Sequence, residues 1–282
     1  MAETQASGGD LAGASRSARR ALDLAPLSLP ARQLVIRLAL RQNQPLQALA
    51  IAQDLHKLQP ADAAGLVLAA EVEITRKRWD AALLPLRKAL SLVDPAQAPE
   101  RLHQVLGLAG RATEADAFAS QWQGEHPADA TCLFYLGDQA LAQQDLASAE
   151  LRYQAVLKLK PEHPLSLNNI AWLRLQAGQP GALAYAERAV AASPNLPALL
   201  DTLALALALA ADKQAGKAIE LQLRALAMRP ADPFMRLNLA RFYAQAGEKR
   251  KAKAALDRLA ALGERFARQP EVAALSKGLG GR

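Results

Sequence analysis

Apolar positions recur along most of this 282-residue chain in blocks of about a dozen residues at helical spacing, and the blocks are closed by proline at a nearly constant interval. The closing prolines are Pro26, Pro60, Pro95, Pro127, Pro161, Pro194 and Pro230, which stand 34, 35, 32, 34, 33 and 36 residues apart. Proline cannot continue a helix and biases the residue before it away from the helical region, so one such proline per period marks the end of a second helix. A second set of breaks lies between the prolines. The polar or glycine-containing stretches Arg41 to Gln44, Gln143 to Asp145, Ala177 to Gln179 and Ala246 to Lys249 sit where a first helix, A, must turn into a second, B. The pattern therefore predicts a ladder of A/B helix pairs. One motif, Leu203-Ala-Leu-Ala-Leu-Ala-Leu, alternates with the period of a strand. Its alanine content and its place in the period predict a buried helix instead.

The interval matches the 34-residue tetratricopeptide (TPR) repeat, and small residues fall where two helices of such a pair must cross closely. The segment Leu136-Gly137, Ala140, Ala149, Tyr153 and Pro161 follows that pattern, as do Ile170-Ala171, Ala182, Ala189 and Pro194, then Leu203-Ala204, Ala218, Ala225 and Pro230. The last unit has Leu239-Ala240, Tyr243, Gly247, Ala252 and Leu256. The residues resemble TPR repeats, which implies an all-α fold, a right-handed α-α superhelical solenoid of helix pairs. Earlier units are looser. Residues 96–127 read as a degenerate repeat, with His103 where a small residue belongs and Trp122 as core filler at another small position.

This organises the chain as a flexible leader over 1–9 and a solenoid over 10–263, made of an orphan helix (10–24) and about seven helix pairs. A capping helix and tail follow over 264–282. A solenoid's terminal unit exposes a face with no neighbour, which a further helix commonly covers. The leader lacks the charged and apolar regions of a signal peptide, and the chain that follows starts in mid-repeat, as a piece of a longer parent would.

Composition agrees with close-packed helices: 51% of residues are apolar but only 4% aromatic, so the interior is built from Ala and Leu, the best helix formers. The longest uncharged apolar run, Leu203 to Ala211, is far shorter than the roughly 18 to 20 residues that span a bilayer. The formal charge is +7. Basic residues gather near the end, in Lys249, Arg250, Lys251, Lys253, Arg258, Arg265 and Arg268, but Glu248, Asp257 and Glu264 intersperse them, which suits a solvated face better than a phosphate track. No nucleic-acid partner is expected.

Catalytic chemistry needs titratable groups that converge. The four histidines, His56, His103, His126 and His163, are scattered over different repeats without metal spacing, and His126 and His163 stand beside closing prolines, where turn or capping roles fit. The lone Cys132 supports neither a disulfide nor a cysteine zinc site and reads as a buried thiol. There is no Gly-rich phosphate loop and no nucleophile elbow. Glu71 and Glu73, two apart on a helix, face different sides and read as surface charges. No enzyme signature, metal site or cofactor is expected.

What remains is a binding surface. In such a superhelix the A helices line the concave face, and the period places Asn168 and Trp172, Asp201 and Leu205, and Arg236, Arg241 and Gln245 on or near it. Trp172 reads either as an exposed anchor for a partner or as packing between adjacent A helices. Arg236 and Arg241 suit planar anions. Asn169 and Asn238 fall where this repeat type often carries Asn for structural reasons. The Lys and Asn set of carboxylate-clamp TPR domains is not reproduced.

The second half, from Thr131 to Leu279, also resembles something narrower. Its close, AALGERFARQPEVAALSKGL after a final repeat, is similar to the end of the TPR-repeat protein of bacterial PEP-CTERM/exosortase systems. That resemblance implies an exported, periplasmic or envelope-associated scaffold of exopolysaccharide and protein-sorting machinery, with a protein or peptide partner in the concave groove. Two other readings stay open: direct binding of an acidic polysaccharide by the basic C-terminal repeats, and a cytoplasmic TPR adaptor.

Overall fold

A computed structural model describes residues 10–92, 95, 97–210, 214–263, 266 and 269–280. The leader, together with Glu264, Arg265 and Arg268, lies outside the described residues. Among the described residues there are helices and turns and no strand. The chain is an all-α helical-repeat solenoid, and its contacts divide it into two compact units, residues 1–132 and 133–282.

In the first unit, α1 (Leu11–Leu24) packs on α2 (Leu29–Arg41), followed by α3 (Pro45–Leu58), α4 (Ala64–Thr75), α5 (Trp79–Leu90), α6 (Ala98–Leu108) and α7 (Ala112–Glu125). The unit boundary falls in the first turn of α8 (Ala130–Ala142). The second unit continues with α9 (Leu146–Leu159), α10 (Pro164–Gln176), α11 (Ala182–Ala192), α12 (Pro197–Leu209), α13 (Ala215–Met228), α14 (Pro233–Gln245), α15 (Lys249–Ala260) and α16 (Pro270–Gly280). Even-numbered helices from α2 to α14 are A helices, and the odd-numbered helix after each is its B helix. The alternating Leu-Ala run lies inside α12, where Leu203, Ala204, Ala206, Leu207 and Ala208 are all buried.

Six of the A-to-B turns are made the same way, and the turn between α12 and α13 lies partly outside the described residues. Asn43, Lys77, Gly110, Gln144, Gly178 and Gly247 have positive φ, between 56° and 77°, just past the ends of their A helices. The amide of the following residue reaches back five positions, as in Gln44 N–H to the Ala39 carbonyl (2.8 Å), Asp145 to Ala140 (2.9 Å) and Glu248 to Tyr243 (2.9 Å). This left-handed closure satisfies carbonyls that the helix end leaves open. Three of the six residues are not glycine, which costs each of those turns roughly 1–2 kcal/mol.

The B-to-A turns use the closing prolines. Pro26, Pro60, Pro127, Pro161 and Pro230 occupy the second position of four-residue turns closed by amide–carbonyl bonds such as Asp62 to Gln59 (3.1 Å) and Asp232 to Arg229 (3.2 Å). The fixed φ of proline suits that position. In four of these five turns the last residue then caps the next helix, and in the other Asp62 accepts from Ala64 N–H (2.8 Å) from one position ahead of the cap. Asp129 accepts from Cys132 N–H (3.0 Å), His163 Nδ1 from Ser166 N–H (3.2 Å) and Asp232 from Met235 N–H (3.0 Å). One tripeptide thus ends a helix and starts another.

The core lies where A and B helices cross, and its two sides share a fixed volume. Gly137 on α8 faces the fully buried Tyr153 on α9, so closely that a methyl group on Gly137 would sit 2.6 Å from the ring. The proportion reverses at the start of the chain, where Ile36 packs in one cluster with the fully buried Ala52. Other crossings pair Ala70 with Leu86, Ala171 with Ala186 and Ala240 with Leu256. In residues 97–127, Trp122 is buried, donates its indole N–H to Asp129 Oδ2 (3.0 Å) and stacks on His126 (3.8 Å between centroids).

Candidate functional site

Helix geometry puts residues seven apart, with one between them, on a single stripe. In the second unit those stripes are Leu165, Asn168 and Trp172 on α10, Ala198, Asp201 and Leu205 on α12, and Phe234, Leu237 and Arg241 on α14. These A helices touch in sequence, α10 to α12 and α12 to α14, so the stripes lie side by side. Trp172 is 38% exposed, Leu165 40% and Phe234 68%. Leu165 and Trp172 share one face of α10, and Phe234 stands at the same position of α14 as Leu165 of α10, beyond α12; apolar side chains exposed on one face mark a candidate interaction surface. Leu205 is half-buried, packed on the second-unit core.

The polar candidates are largely engaged with one another. Asp201 Oδ1 accepts from Gln222 Nε2 on α13 (2.6 Å) and from Asn238 Nδ2 on α14 (3.0 Å). Asn238 Oδ1 in turn accepts from Arg241 Nη1 (3.3 Å), and Arg241 Nη2 donates to Glu271 on α16 (2.8 Å). Gln222, Asp201, Asn238, Arg241 and Glu271 thus form a ladder that joins an A helix to its B helix, to the next A helix and to the last helix. Burial pushes the Asp201 carboxyl above its ordinary value, against the lowering effect of its two donors. Arg236 lies apart from the ladder. Its guanidinium donates to the Pro230 carbonyl, closing its own turn, just as Arg32, at the same place in α2, donates Nε–H to the Pro26 carbonyl (2.9 Å). Asn168 is half-buried, with its amide on Asn169 (3.3 Å), while Gln245 is exposed at the end of α14.

A second node of the same kind lies one and two repeats earlier. Asp138 on α8 accepts from Tyr153 O–H on α9 (2.7 Å) and from Asn169 on α10 (3.3 Å). Burial raises the Asp138 carboxyl, and burial lowers the imidazole of His163, the cap of α10. Tyr153 and Gln222 hold the same position in their B helices, and Asn169 and Asn238 the same position in their A helices. A half-buried carboxylate that accepts from side chains of two neighbouring helices acts as a clasp that ties their spacing together.

Periodicity did not single out Leu165 or Phe234, although both directly follow the proline that opens an A helix and stand seven residues before Trp172 and Arg241. Glu73 departs from the surface reading. It is buried and paired with Arg76 (3.0 Å) and Arg78 (3.7 Å), because its helix face turns toward the following turn, while Glu71 pairs with Arg101 of α6 (3.3 Å). No group of three or more His, Cys, Asp or Glu residues suited to a metal occurs among the described residues, and no helix among them is long and apolar enough to cross a membrane.

No family model matches the sequence, nor does any curated protein. Solved structures do match. The chain is similar to Pseudomonas aeruginosa PilF, at 19% identity over 77% of this chain and 97% of that one, with a TM-score of 0.62. It is similar to a chain of the APC/C hetero-tetramer Cut9-Hcn1, at 15% identity and a TM-score of 0.61, where 99% of this chain spans about half of the other (55%). It is also similar to yeast Tom70, at 15% identity over 96% of this chain and 58% of that one, with a TM-score of 0.55. These neighbours are TPR-repeat proteins, and at such identities the likeness concerns the fold.

Proposed function

We propose that this chain is a non-catalytic scaffold that holds a protein segment on the A-helix face of its second unit, in the assembly of bacterial envelope exopolysaccharide or protein-sorting machinery. The observation that carries the binding reading is the exposure of Leu165 and Trp172 on α10 and of Phe234 on α14, the A helices on either side of α12, in a chain with few aromatic residues. A tryptophan and a phenylalanine on one face are typical anchors of a protein interface. The helices beneath them are held in register by the two carboxylate clasps. The TPR fold supports an interaction scaffold in general, and the resemblance of the closing segment to the PEP-CTERM/exosortase TPR protein supports the envelope setting.

The test is site-specific photocrosslinking in envelope extract, with the photoreactive residue at position 245, beside the face. An envelope protein crosslinked by the otherwise wild-type chain and lost with Trp172→Ala or Phe234→Asp is the expected result. Crosslinking that is unchanged in both variants would refute the face. Capture of cytoplasmic proteins alone would favour the adaptor reading.

A second reading is an acidic polysaccharide on α15. Lys249, Arg250 and Lys251 all lie in its first turn, where the helix dipole disfavours cations, beside a cleft of about 690 Å³. A uronic-acid oligosaccharide that fails to bind at low salt would exclude it.

A further inference from the structure

We infer that His163 makes the turn between α9 and α10 an acid-opened joint, closed at neutral pH and released when the imidazole takes up a second proton. His163 ends that turn as the N-cap of α10, and its Nδ1 accepts from the backbone N–H of Ser166 at 3.2 Å. A ring nitrogen that accepts carries no proton, so the neutral imidazole holds its one hydrogen on Nε2. The Ser166 hydroxyl lies 2.9 Å from the same Nδ1. Ser166 is fully buried, so its amide has no water to turn to while the turn stays closed. Protonation places a hydrogen on Nδ1 and sets two N–H donors against each other. It also places a positive charge at a helix N-terminus, where the peptide dipoles favour negative charge. At the same place in other repeats the capping atom is an oxygen, of Ser28, Asp129 or Asp232. His163 puts there a group whose charge changes between about pH 5 and 8.

The groups around the ring decide how readily it takes that proton. Asp138 on α8 favours the cation, but its carboxylate is already engaged by Tyr153 O–H of α9 and by Asn169 of α10. Lys160, at the end of α9, opposes the cation. Glu162, the neighbour in the turn, is bound to Arg188 of α11 at 2.9 Å. Phe134 of α8 packs against the imidazole at a steep angle, 5.1 Å between centroids. Burial is the largest influence, and together with Lys160 it outweighs Asp138, so the imidazole is held below its ordinary 6.5. The closed turn therefore binds the proton less tightly than the unfolded chain does. The stability lodged in the cap is complete above 6.5 and is lost as pH falls through the lowered value. At His126 the arrangement is reversed, since Nδ1 lies 3.2 Å from the Trp122 carbonyl, which accepts and cannot donate, so that nitrogen already carries the proton. The inference rests on the turn and not on the proposed face, although Leu165 of that face stands in the turn that opens.

The experiment uses the full chain. Nitrogen NMR of the isotope-labelled imidazoles at neutral pH should show His163 with a bare Nδ1, and a proton on that atom would overturn the cap. Hydrogen exchange of the Ser166 and Leu167 amides, compared as protection factors between about pH 7.5 and about pH 4.5, reads the joint itself. Protection should fall about fivefold as the ring is protonated, the worth of one N-cap. His163→Asn keeps a capping oxygen that does not titrate and should remove most of that fall. His163→Ala has no cap at any pH and should show the low protection already at neutral pH. Wild-type protection that does not change with pH would overturn the inference, as would an Ala variant protected as well as wild type at neutral pH. A fall as large in His163→Asn as in wild type would assign the opening to Asp138 and overturn it too.

Discussion

Replacing Gly137 by alanine puts a methyl group against Tyr153, and the structure sets both the sign and the size of the effect. The added carbon would lie 2.6, 2.9 and 3.2 Å from three atoms of the Tyr153 ring. The ring has nowhere to retreat. It is fully buried, its hydroxyl donates to Asp138 at 2.7 Å, and Phe134 packs against it at 5.6 Å between centroids. Overpacking of this kind costs about 1–3 kcal/mol, and a contact under 3 Å against a pinned ring belongs near the upper end. Alanine regains about 1 kcal/mol of helix propensity over glycine. Gly137→Ala should therefore lose about 1–2 kcal/mol. The same crossing elsewhere in the chain shows what relieves it, since Ala70 with Leu86 and Ala240 with Leu256 pack without conflict. Gly137→Ala with Tyr153→Leu reproduces that combination and should be more stable than either single variant. Urea unfolding read by far-UV circular dichroism, with hydrogen exchange of the α8 and α9 amides as the local readout, measures all four proteins of the cycle. A stabilising Gly137→Ala in the wild-type background, or a coupling energy below about 0.5 kcal/mol, would show that the two sites do not share one volume.

Other substitutions follow from the turns, the close approaches and the clasps. Lys77→Gly and Gln144→Gly, at positions with φ of 56° and 62°, should each raise the urea midpoint, by about 0.5–1 kcal/mol of relieved strain; an unchanged or lowered midpoint counts against the left-handed closure. Gly65→Ala should destabilise, because its methyl would meet the His56 backbone at 2.5 Å, whereas Gly107→Ala, with open space around it, should stabilise by up to about 1 kcal/mol. Melting temperatures in the reverse order would refute the contrast. Burial holds the Asp201 carboxyl above its ordinary value of 3.8, so the folded state binds that proton more tightly than the unfolded one, and the stability linked to it falls as pH rises from 3.8 through the raised value. Asp201→Asn removes this component, so its thermal stability relative to wild type should improve as pH rises through that window; a difference that stays constant with pH would contradict the assignment.

Much of the architecture was legible because it rests on local rules repeated at a fixed interval. A proline ends one helix and opens a turn whose last residue caps the next, so the interval and the helical class follow from the residues themselves. The looseness of the early units was harder to interpret, because crossing volume is a property of a pair. Ile36 at a position that most other units fill with Gly or Ala looks like a departure until Ala52 is seen opposite it. The candidate face was legible only as a stripe. Trp172 was found because tryptophan is rare and stands at the right phase of α10, but the fates of Asp201, Arg236 and Arg241 depend on partners 6 to 37 residues away in sequence. Glu73 was misjudged for the same reason: helical phase alone does not reveal that the turn ahead of it supplies Arg76 and Arg78.

Those partners also change what the net charge means for recognition. A formal charge of +7 invites an electrostatic reading of the whole surface. On the second-unit face, however, Arg241 is bound to Glu271 and Arg236 to a backbone carbonyl, and the carboxylate of Asp201 is held between two amides. What that face offers outward is Leu165, Trp172 and Phe234. A partner gains there by removing apolar surface from water, an interaction that salt does not screen.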